Sequence, residues 1–512
     1  LKLKKNNPAV SLFNFQFSIQ QYRMRILRLL ALLLFAPFVL AQSIDTVAVD
    51  RLAQHTLDAW HIPGVAVAIV IDDKVVYTHG YGVKEIGKSD PVTADTLFGV
   101  ASTTKAFTTA AMAILVDEKK MSWDDPVRQY IDYFHLNDPC ADSLVTLRDI
   151  VSHRSGFGRH DELWDNTTLT REQIIRGVAS LKVTKPIRTT YQYSNIMFMT
   201  AGEATAAAAK MPWGVFVKTR IFDPLGMTST RTSSQELLAA NHATGHRWDA
   251  KAQKIVVQPF VDDENLGSAG NIKSSARDMA QWIRFQLADG VIDGKRIVSA
   301  DALRETRTPQ FALKVDKEIS PETNIQSYAM GWNVQDYRGD LLVAHSGALN
   351  GYRTQVALLP NRHAGVVVIL NAGRGYAGLS LRNSFMDMIL GRAPRDWDAF
   401  YLAADKKSDE KDATRKLERE AKRLKDTHPS RELAAYAGTY THPAYGAMTV
   451  AFENNALVLR WQHIAATLTP FQFDTFSAVD NANDLDEQVT FRLGEDGNVN
   501  MLTMWGEEFA RR

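Results

Sequence analysis

LLVAHSGALNGYRTQVALLPNRHAGVVVILNAG, residues 341–373, reads as three successive β-strands with turns at Gly347–Gly351 and Pro360–Asn361. A matching pattern lies far upstream. GVAVAIVIDDKVVYTHGYGV, residues 64–83, is two β-branched runs joined at Asp72–Asp73, a hairpin signal. Between them the chain is mostly helical, in STTKAFTTAAMAILV (102–116), NIMFMTAGEATAAAAK (195–210) and SARDMAQWIRFQLADG (275–290). Thr146 with Asp149 makes a capping-box-like start for LRDIVSH, which ends at Ser155–Gly156. Strands at both ends of a helical middle predict an α+β fold. One antiparallel sheet is formed from the chain's two ends, with flanking helices packed on it.

A second region follows. Residues 405–428 are a mixed-charge run with few apolar residues, a solvated helical linker. After Pro429 come short alternating segments, YAGTYTH, AMTVAFE, ALVLRWQ, QVTFRLG and VNMLTMW, divided by turn residues: a small all-β domain, barrel or sandwich. The expected division is 44–400, a linker at 401–429, and 430–512.

The 512 residues carry 59 basic and 58 acidic side chains, a balance that points away from nucleic acid and toward a small partner. Cys140 is the only cysteine, so no intrachain disulfide can form; it reads as a small, partly buried residue. Arg25 and Arg28 precede an apolar run from Leu29 to Ala41, with small residues at Val39 and Ala41. Residues 24–41 therefore read as a cleaved secretory signal from a start at Met24, with 1–23 as upstream sequence translated in error. The expected location is periplasmic or secreted, with no stable membrane span after cleavage.

ASTTKAF, residues 101–107, places Ser102 three positions before Lys105. Ser-x-x-Lys is a cheap pattern and recurs at Ser408–Lys411, where water in the charged run would keep the lysine protonated. At 102–105 the setting differs. A helix apolar on nearly every face desolvates Lys105, which makes its neutral, proton-accepting form accessible, and i,i+3 spacing brings it to Ser102 Oγ. At the first turn the Ser102 N–H is free to stabilise an oxyanion. Tyr193-Ser194-Asn195 is the chain's only Tyr-x-Asn; a phenol near an amine can pass protons, and Asn195 can orient Lys105 and a substrate carbonyl. His345-Ser346-Gly347 sits on a predicted strand, where Gly347 would let a substrate backbone lie close and Ala348 N–H would be a second oxyanion donor. No His/Asp/Glu cluster has zinc-like spacing, so neither metal nor cofactor is expected. His153, His242 and His246 read as capping or surface residues, Trp332 and Trp461 as core, and Tyr352 and Arg353 as candidates to touch substrate.

STTK, YSN and HSG, in that order, resemble the three motifs of the penicillin-recognising serine acyltransferases, specifically the class C β-lactamase and DD-peptidase branch. TLFGVASTTKAFT, VTLRDIVSHRSGF and SAGNIKSSARDMAQW are similar to that branch as well, and the resemblance runs from about Ile44 to Leu390. It implies a helical domain against a sheet domain with the site between them. Ser102 is then the acylated nucleophile and Lys105 its activator. Tyr193 shuttles protons to the leaving group, and Asn195 holds the substrate amide. His345, Ser346 and Gly347 line the substrate strand, His345 favouring charge on Tyr193, and Ser102 and Ala348 form the oxyanion hole. The base is a coupled Lys105–Tyr193 pair. Branch members with histidine at His345 are peptidases and esterases, whereas its β-lactamases usually carry lysine there. The implied activity is cleavage of an amide or ester in a peptide, including D-residue peptides. A class C-type β-lactamase and a non-hydrolytic penicillin-binding sensor or scaffold are the alternatives. The C-terminal β domain resembles the lipocalin-like modules appended to some of these enzymes, where it could wall the cleft, stabilise the chain or oligomerise it.

Overall fold

The computed structural model describes residues 44–165, 167–249, 252–480 and 485–512. The segments 1–23 and 24–41, read above as upstream sequence and signal, lie outside the described residues.

Helix α1 (Thr46–Trp60) leads into the hairpin β1 (Gly64–Ile71) and β2 (Lys74–Gly82). Asp72 and Asp73 have φ of 48° and 61°, the left-handed pair that a two-residue hairpin turn needs to match strand twist. Helices α2 (Thr104–Asp117), α3 (Asn195–Ala209) and α4 (Ala276–Leu287) follow. Then come strands β3 (Phe311–Leu313), β4 (Gln326–Tyr328), β5 (Asn333–Tyr337), β6 (Asp340–Leu349), β7 (Tyr352–Leu359) and β8 (Ala364–Leu370). The sheet order is β2-β1-β8-β7-β6-β5-β4-β3. Val65 of β1 lies opposite Leu370 of β8 and Ile71 opposite Ala364, so the two ends of this region are zipped antiparallel.

Helices cover both faces of this sheet. Ile283 of α4 packs on Gly365, while Gly378 of helix α5 (Ala377–Ile389) packs on Leu370. An odd spacing along a strand points side chains to opposite faces, so α4 and α5 sandwich the sheet. That is why β1 and β8 are apolar at every position instead of alternating, and both are buried throughout. The helical layer joins the sheet through aromatic stacking: the rings of Phe107 (α2) and Trp282 (α4) lie 3.7 Å apart at 17°.

Helix α6 (Trp397–Ala421) begins earlier than the charge run suggests, because Trp397, Asp398 and Tyr401 are buried in its first turns. Farther along it is exposed and pinned by ion pairs. Lys407 and Lys411 hold Glu318, and Lys416 and Arg419 hold Asp486. The chain then forms a closed eight-stranded barrel: β9 (Gly438–His442), β10 (Gly446–Glu453), β11 (Ala456–Trp461), β12 (Ile464–Gln472), β13 (Thr475–Asp480), β14 (Leu485–Leu493), β15 (Val499–Met504) and β16 (Glu507–Arg511). Strand β16 pairs back onto β9 at Tyr440–Arg511, leaving no open edge.

Several local expectations change. Gly347 lies inside β6, and the turn is at Asn350–Gly351, both with positive φ. The helix after Thr146 has its full capping box but stops at Val151. Cys140 is exposed rather than partly buried, since Asp138 caps a short surface helix, Pro139–Leu144, around it.

That capped turn has a structural role. Asp149, fully buried, accepts from Arg154 Nε at 2.7 Å, Arg188 Nη2 at 2.8 Å and Thr146 N–H at 3.1 Å. It thereby anchors the loop His153–Gly156, whose carbonyls receive Gln192, Thr184 and Arg188 N–H groups. Burial alone would raise its carboxyl pKa, but the bonds from Arg188 and Arg154 outweigh that and hold it below the usual range. A folded pKa below the unfolded one gives stability above about pH 4 that is lost as pH falls through the folded value. Asp149→Ala should therefore cost about 3 kcal/mol of unfolding free energy at pH 7 in urea melts, and its deficit against the parent should shrink below about pH 4.

Candidate active site

The chain enters the site from the short strand Phe98–Gly99, which pairs with Lys273–Ser274. Ala101 then takes a left-handed conformation, φ 49°, unusual for a residue with a β-carbon. This kink starts a 3-10 turn, Ala101–Thr103, ahead of α2, so Ser102 sits in the tighter turn rather than in the α-helix itself. Every neighbour from Ala101 to Leu115 is buried and Ser102 alone is partly exposed. Its N–H precedes the turn's first backbone bond, made by Thr103 N–H to the Val100 carbonyl.

Lys105 is completely buried, yet among the described residues no carboxylate forms an ion pair with it. Its Nζ lies 2.7 Å from Asn195 Oδ1, 2.7 Å from the Ala269 carbonyl and 3.2 Å from Ser102 Oγ. Burial lowers its pKa well below that of an ordinary lysine; Asp161 opposes the shift and Arg159 adds to it. A neutral amine has two N–H bonds and one lone pair. Asn195 Oδ1 and the Ala269 oxygen can only accept, so they take both N–H bonds and the lone pair is left facing the Ser102 hydroxyl. Tyr193 completes the arrangement by donating its phenol O–H to Ser102 Oγ at 2.8 Å. Burial raises the Tyr193 pKa and the bond to Ser102 lowers it less, so the phenol keeps its proton. With the amine neutral, the geometry gives a directional relay, Tyr193 O–H to Ser102 Oγ and Ser102 O–H to Lys105 Nζ; with it protonated, Lys105 donates to Ser102 Oγ. The second Ser-x-x-Lys behaves in the opposite way: Lys411 is exposed, and its hydrogen bond to Glu318 raises its pKa.

The third motif forms a wall. Strand β5 pairs with β6 only as far as Ala344, so residues 345–349 are bonded through β7 alone and present a free edge. His345 and Gly347 are buried while Ser346 and Ala348 are exposed, the alternation of a half-covered strand. The Ser346 carbonyl accepts from His345 Nδ1 at 2.7 Å instead of a strand partner, and Ala348, two residues on, turns its backbone to the same side. A β-carbon on Gly347 would collide with the Val100 carbonyl oxygen. Gly347 thus makes room for the serine's own turn, not for a substrate backbone.

Other expected roles change. Because the Ser346 oxygen takes the Nδ1 proton, His345 Nε2 is an acceptor and receives the Tyr328 hydroxyl at 3.1 Å. Burial, with help from Lys105, pushes the His345 pKa down to about 3. The ring is neutral and cannot promote phenolate at Tyr193 by charge. The Asn195 side chain is spoken for at both ends, Oδ1 to Lys105 and Nδ2 to Asp161 at 3.1 Å. Tyr352 is buried and bonds the Ala243 carbonyl, and Arg353 is bonded to the Tyr352 and Gly373 carbonyls. Trp332 and Trp461 are core residues.

His153, read above as a capping or surface residue, also contributes, as do Tyr328, Arg159 and Asp161, which the sequence reading did not single out. His153 is fully buried, not a surface residue: its Nδ1 accepts Ser194 N–H at 3.1 Å and its ring stacks 4.3 Å from Tyr193. Tyr328 bridges His153 to His345. Arg159 lies 5.1 Å over the Tyr193 ring, with its charge matched by Asp161 at 2.6 Å. His246 is likewise buried, bonded to Ile86 N–H and the Asn371 carbonyl, whereas His242 is half-buried. The stretch VSHRSGF carried a signal for His153 but gave no hint of its depth, and RHDEL carried none for Arg159 and Asp161.

Gly347→Ala tests the packing of β6 on the serine turn. It should slow labelling of Ser102 by a fluorophosphonate about 10²-fold, because displacements near 1 Å misalign attack. Stopped-flow or gel-based labelling rates would report it.

Comparison with known proteins agrees with this geometry. The family model described as Beta-lactamase matches residues 49–386, and a domain of unknown function (DUF3471) matches residues 422–511. The chain is 31% identical over 490 residues to an unguisins hydrolase of Aspergillus campestris, covering 88% of each chain. It is 30% identical over 435 residues to one of Aspergillus violaceofuscus, covering 79% of this chain and 76% of the relative. The octameric penicillin-binding protein homologue from Pyrococcus abyssi shares the fold, with TM-score 0.62 at 22% identity over 91% of this chain and all of that one. This chain belongs to the Beta-lactamase family of serine hydrolases.

Proposed function

We propose that the protein is an exported hydrolase that forms an acyl-enzyme on Ser102 and cleaves an amide or ester bond in a peptide. The observation that carries this reading is the buried Lys105 amine, whose two N–H bonds are occupied while its third contact is Ser102 Oγ at 3.2 Å. Export rests on the sequence at 24–41. The unguisins hydrolases support the hydrolytic part by their names, and the neutral histidine at 345 favours peptidase or esterase over β-lactamase.

In the first step Ser102 Oγ attacks the carbonyl carbon and its proton passes to Lys105 Nζ. The ammonium so formed has three N–H bonds, and its three neighbours accept all of them, so charge appears only when it is matched. The carbonyl oxygen gathers negative charge between the backbone N–H groups of Ser102 and Ala348. Tyr193 gives its proton to the departing nitrogen or oxygen and is reprotonated from Lys105. Water then attacks the ester carbon, its proton goes to the Lys105–Tyr193 pair, and Ser102 Oγ recovers a proton as the acid leaves. This ordering makes Lys105 the base and Tyr193 the acid.

Ser102→Ala should abolish fluorophosphonate labelling, and persistent labelling would place the nucleophile elsewhere. Lys105→Arg keeps length and charge, but a guanidinium does not deprotonate; kcat on p-nitrophenyl esters should fall by about 10³-fold or more. In the parent enzyme kcat/KM should decline as pH falls through the lowered Lys105 pKa, because the protonated amine cannot accept the serine proton. An acid limb displaced by Lys105→Arg only slightly would remove Lys105 as the base.

A further inference from the structure

A cleft of about 630 Å³ lies between the hydrolase region and the barrel, and Arg159, whose guanidinium lies 5.1 Å over the Tyr193 ring, is one of its lining residues. On one side it is lined by Arg159, Glu162 and Gln192, the last adjacent to Tyr193 in the chain; Glu487, Gln488 and Thr503 of the barrel line the other. The barrel wall is held in place by specific contacts. The Tyr445 hydroxyl meets His160 Nδ1 at 3.1 Å, Trp505 stacks on Tyr445, and Gln462 Oε1 accepts from Thr168 N–H and hydroxyl at 3.1 and 2.8 Å.

Three of the residues lining this one cleft each carry a buried polar atom with no hydrogen-bond partner: Gln192 Oε1, Gln488 Nε2 and Thr503 Oγ1. Buried polar atoms rarely go unpaired, and their gathering on one cleft marks a place that something polar fills. An acceptor, a donor and a hydroxyl are what the alternating N–H and C=O groups of a peptide need. The charges add to this. Arg159 is neutralised by Asp161, whereas Glu162 and Glu487 have no ion-pair partner among the described residues. Burial pushes both glutamates above the usual carboxylate range, a cost that a bound cation would relieve.

We infer that this cleft is the leaving-group subsite. It takes a peptide segment bearing a cationic side chain, with amides bonded by Gln192, Gln488 and Thr503 and the cation held by Glu162 and Glu487. The inference rests on the acyl-enzyme reading, because it places the departing segment beside the residue that protonates it. It also assigns the barrel a direct part in choosing substrates.

The leaving-group subsite is also where an amine must bind to intercept the acyl-enzyme. In that transfer the acyl carbon–Ser102 Oγ bond breaks, a carbon–nitrogen bond forms, and the amine's proton returns through Lys105 and Tyr193 to Ser102 Oγ. p-Nitrophenyl acetate would load the full-length enzyme, and glycyl-lysinamide would compete with glycyl-norleucinamide as acceptor, in L and D forms. Acetyl-dipeptide yields would be read by mass spectrometry. The lysine acceptor should win by about 10-fold in the parent enzyme. The preference should fall toward one in E162Q/E487Q, and in the parent on raising NaCl from about 0.05 to about 0.5 M. Equal yields in the parent, or a preference that survives the double substitution, would overturn the inference; the salt arm decides it should the double variant not fold. Failure of the underlying reading looks different: no p-nitrophenol burst, or a burst that Ser102→Ala retains.

Discussion

An amine removed from water with no counter-ion is the constraint around which this molecule is arranged. A buried ammonium without a carboxylate is expensive, and burial accordingly lowers the Lys105 pKa well below that of an ordinary lysine. The neutral form is useful only if its lone pair points at the nucleophile. Two acceptors that cannot donate, Asn195 Oδ1 and the Ala269 carbonyl, enforce that direction. Each is fixed by a different element. Asn195 opens α3, and Ala269 lies in the segment Ser268–Ile272, which Thr104 and Thr108 bind to α2 through Ile272 N–H and the Ser268 carbonyl. The helix that carries Lys105 therefore also positions the groups that orient it.

The surrounding packing has the same purpose. Tyr193, His153, Phe198 and Tyr328 form a continuous aromatic layer beside Lys105. It excludes water, and water would reprotonate the amine. The two histidines in or beside this layer are both neutral, His153 because of burial and then the proximity of Lys105. A charged histidine here would lower the lysine pKa further but would need its own anion, and none is supplied. The strand edge at 345–349 then closes the site opposite Ser102, at a distance that only the missing side chain of Gly347 permits.

How much of this could be read from the chain depends on the range of the interaction. The sheet was legible because β1 and β8 are both apolar at every position, and two such strands at opposite ends of a region must be covered on both faces. The barrel was legible as short alternating strands, and closure followed from what an eight-stranded antiparallel sheet does to remove its edges. Ser102 and Lys105 were legible because local spacing and an all-apolar helix suffice to state the chemistry. The partners that act across space were not. Ala269 contributes only a carbonyl, which no residue type announces. Asp161 and Arg159 are ordinary charged residues whose importance comes from a loop bringing them to Asn195 and Tyr193. His153 read as a capping or surface residue; its ring does accept the N–H of the helix-capping Ser194, but its burial depends on a turn stabilised by Asp149, Arg154 and Arg188 at sequence separations no periodicity reveals. Gly347 was recognised as a close-approach residue, but what approaches it is the serine's own turn.

The same distinction bears on the two structural regions. The relay that activates Ser102 lies wholly in the hydrolase region: none of its hydrogen bonds involves the barrel. The contacts between His160 and Tyr445 instead hold the barrel against the hydrolase region. The hydrogen-bond partners of Lys105 (Ser102, Asn195 and Ala269) and the charges that act on it (Asp161 and Arg159) all belong to the hydrolase region. On the mechanism proposed above, reactivity depends on burial around Lys105 in the hydrolase region, and choice of leaving group on polar residues of strands β14 and β15.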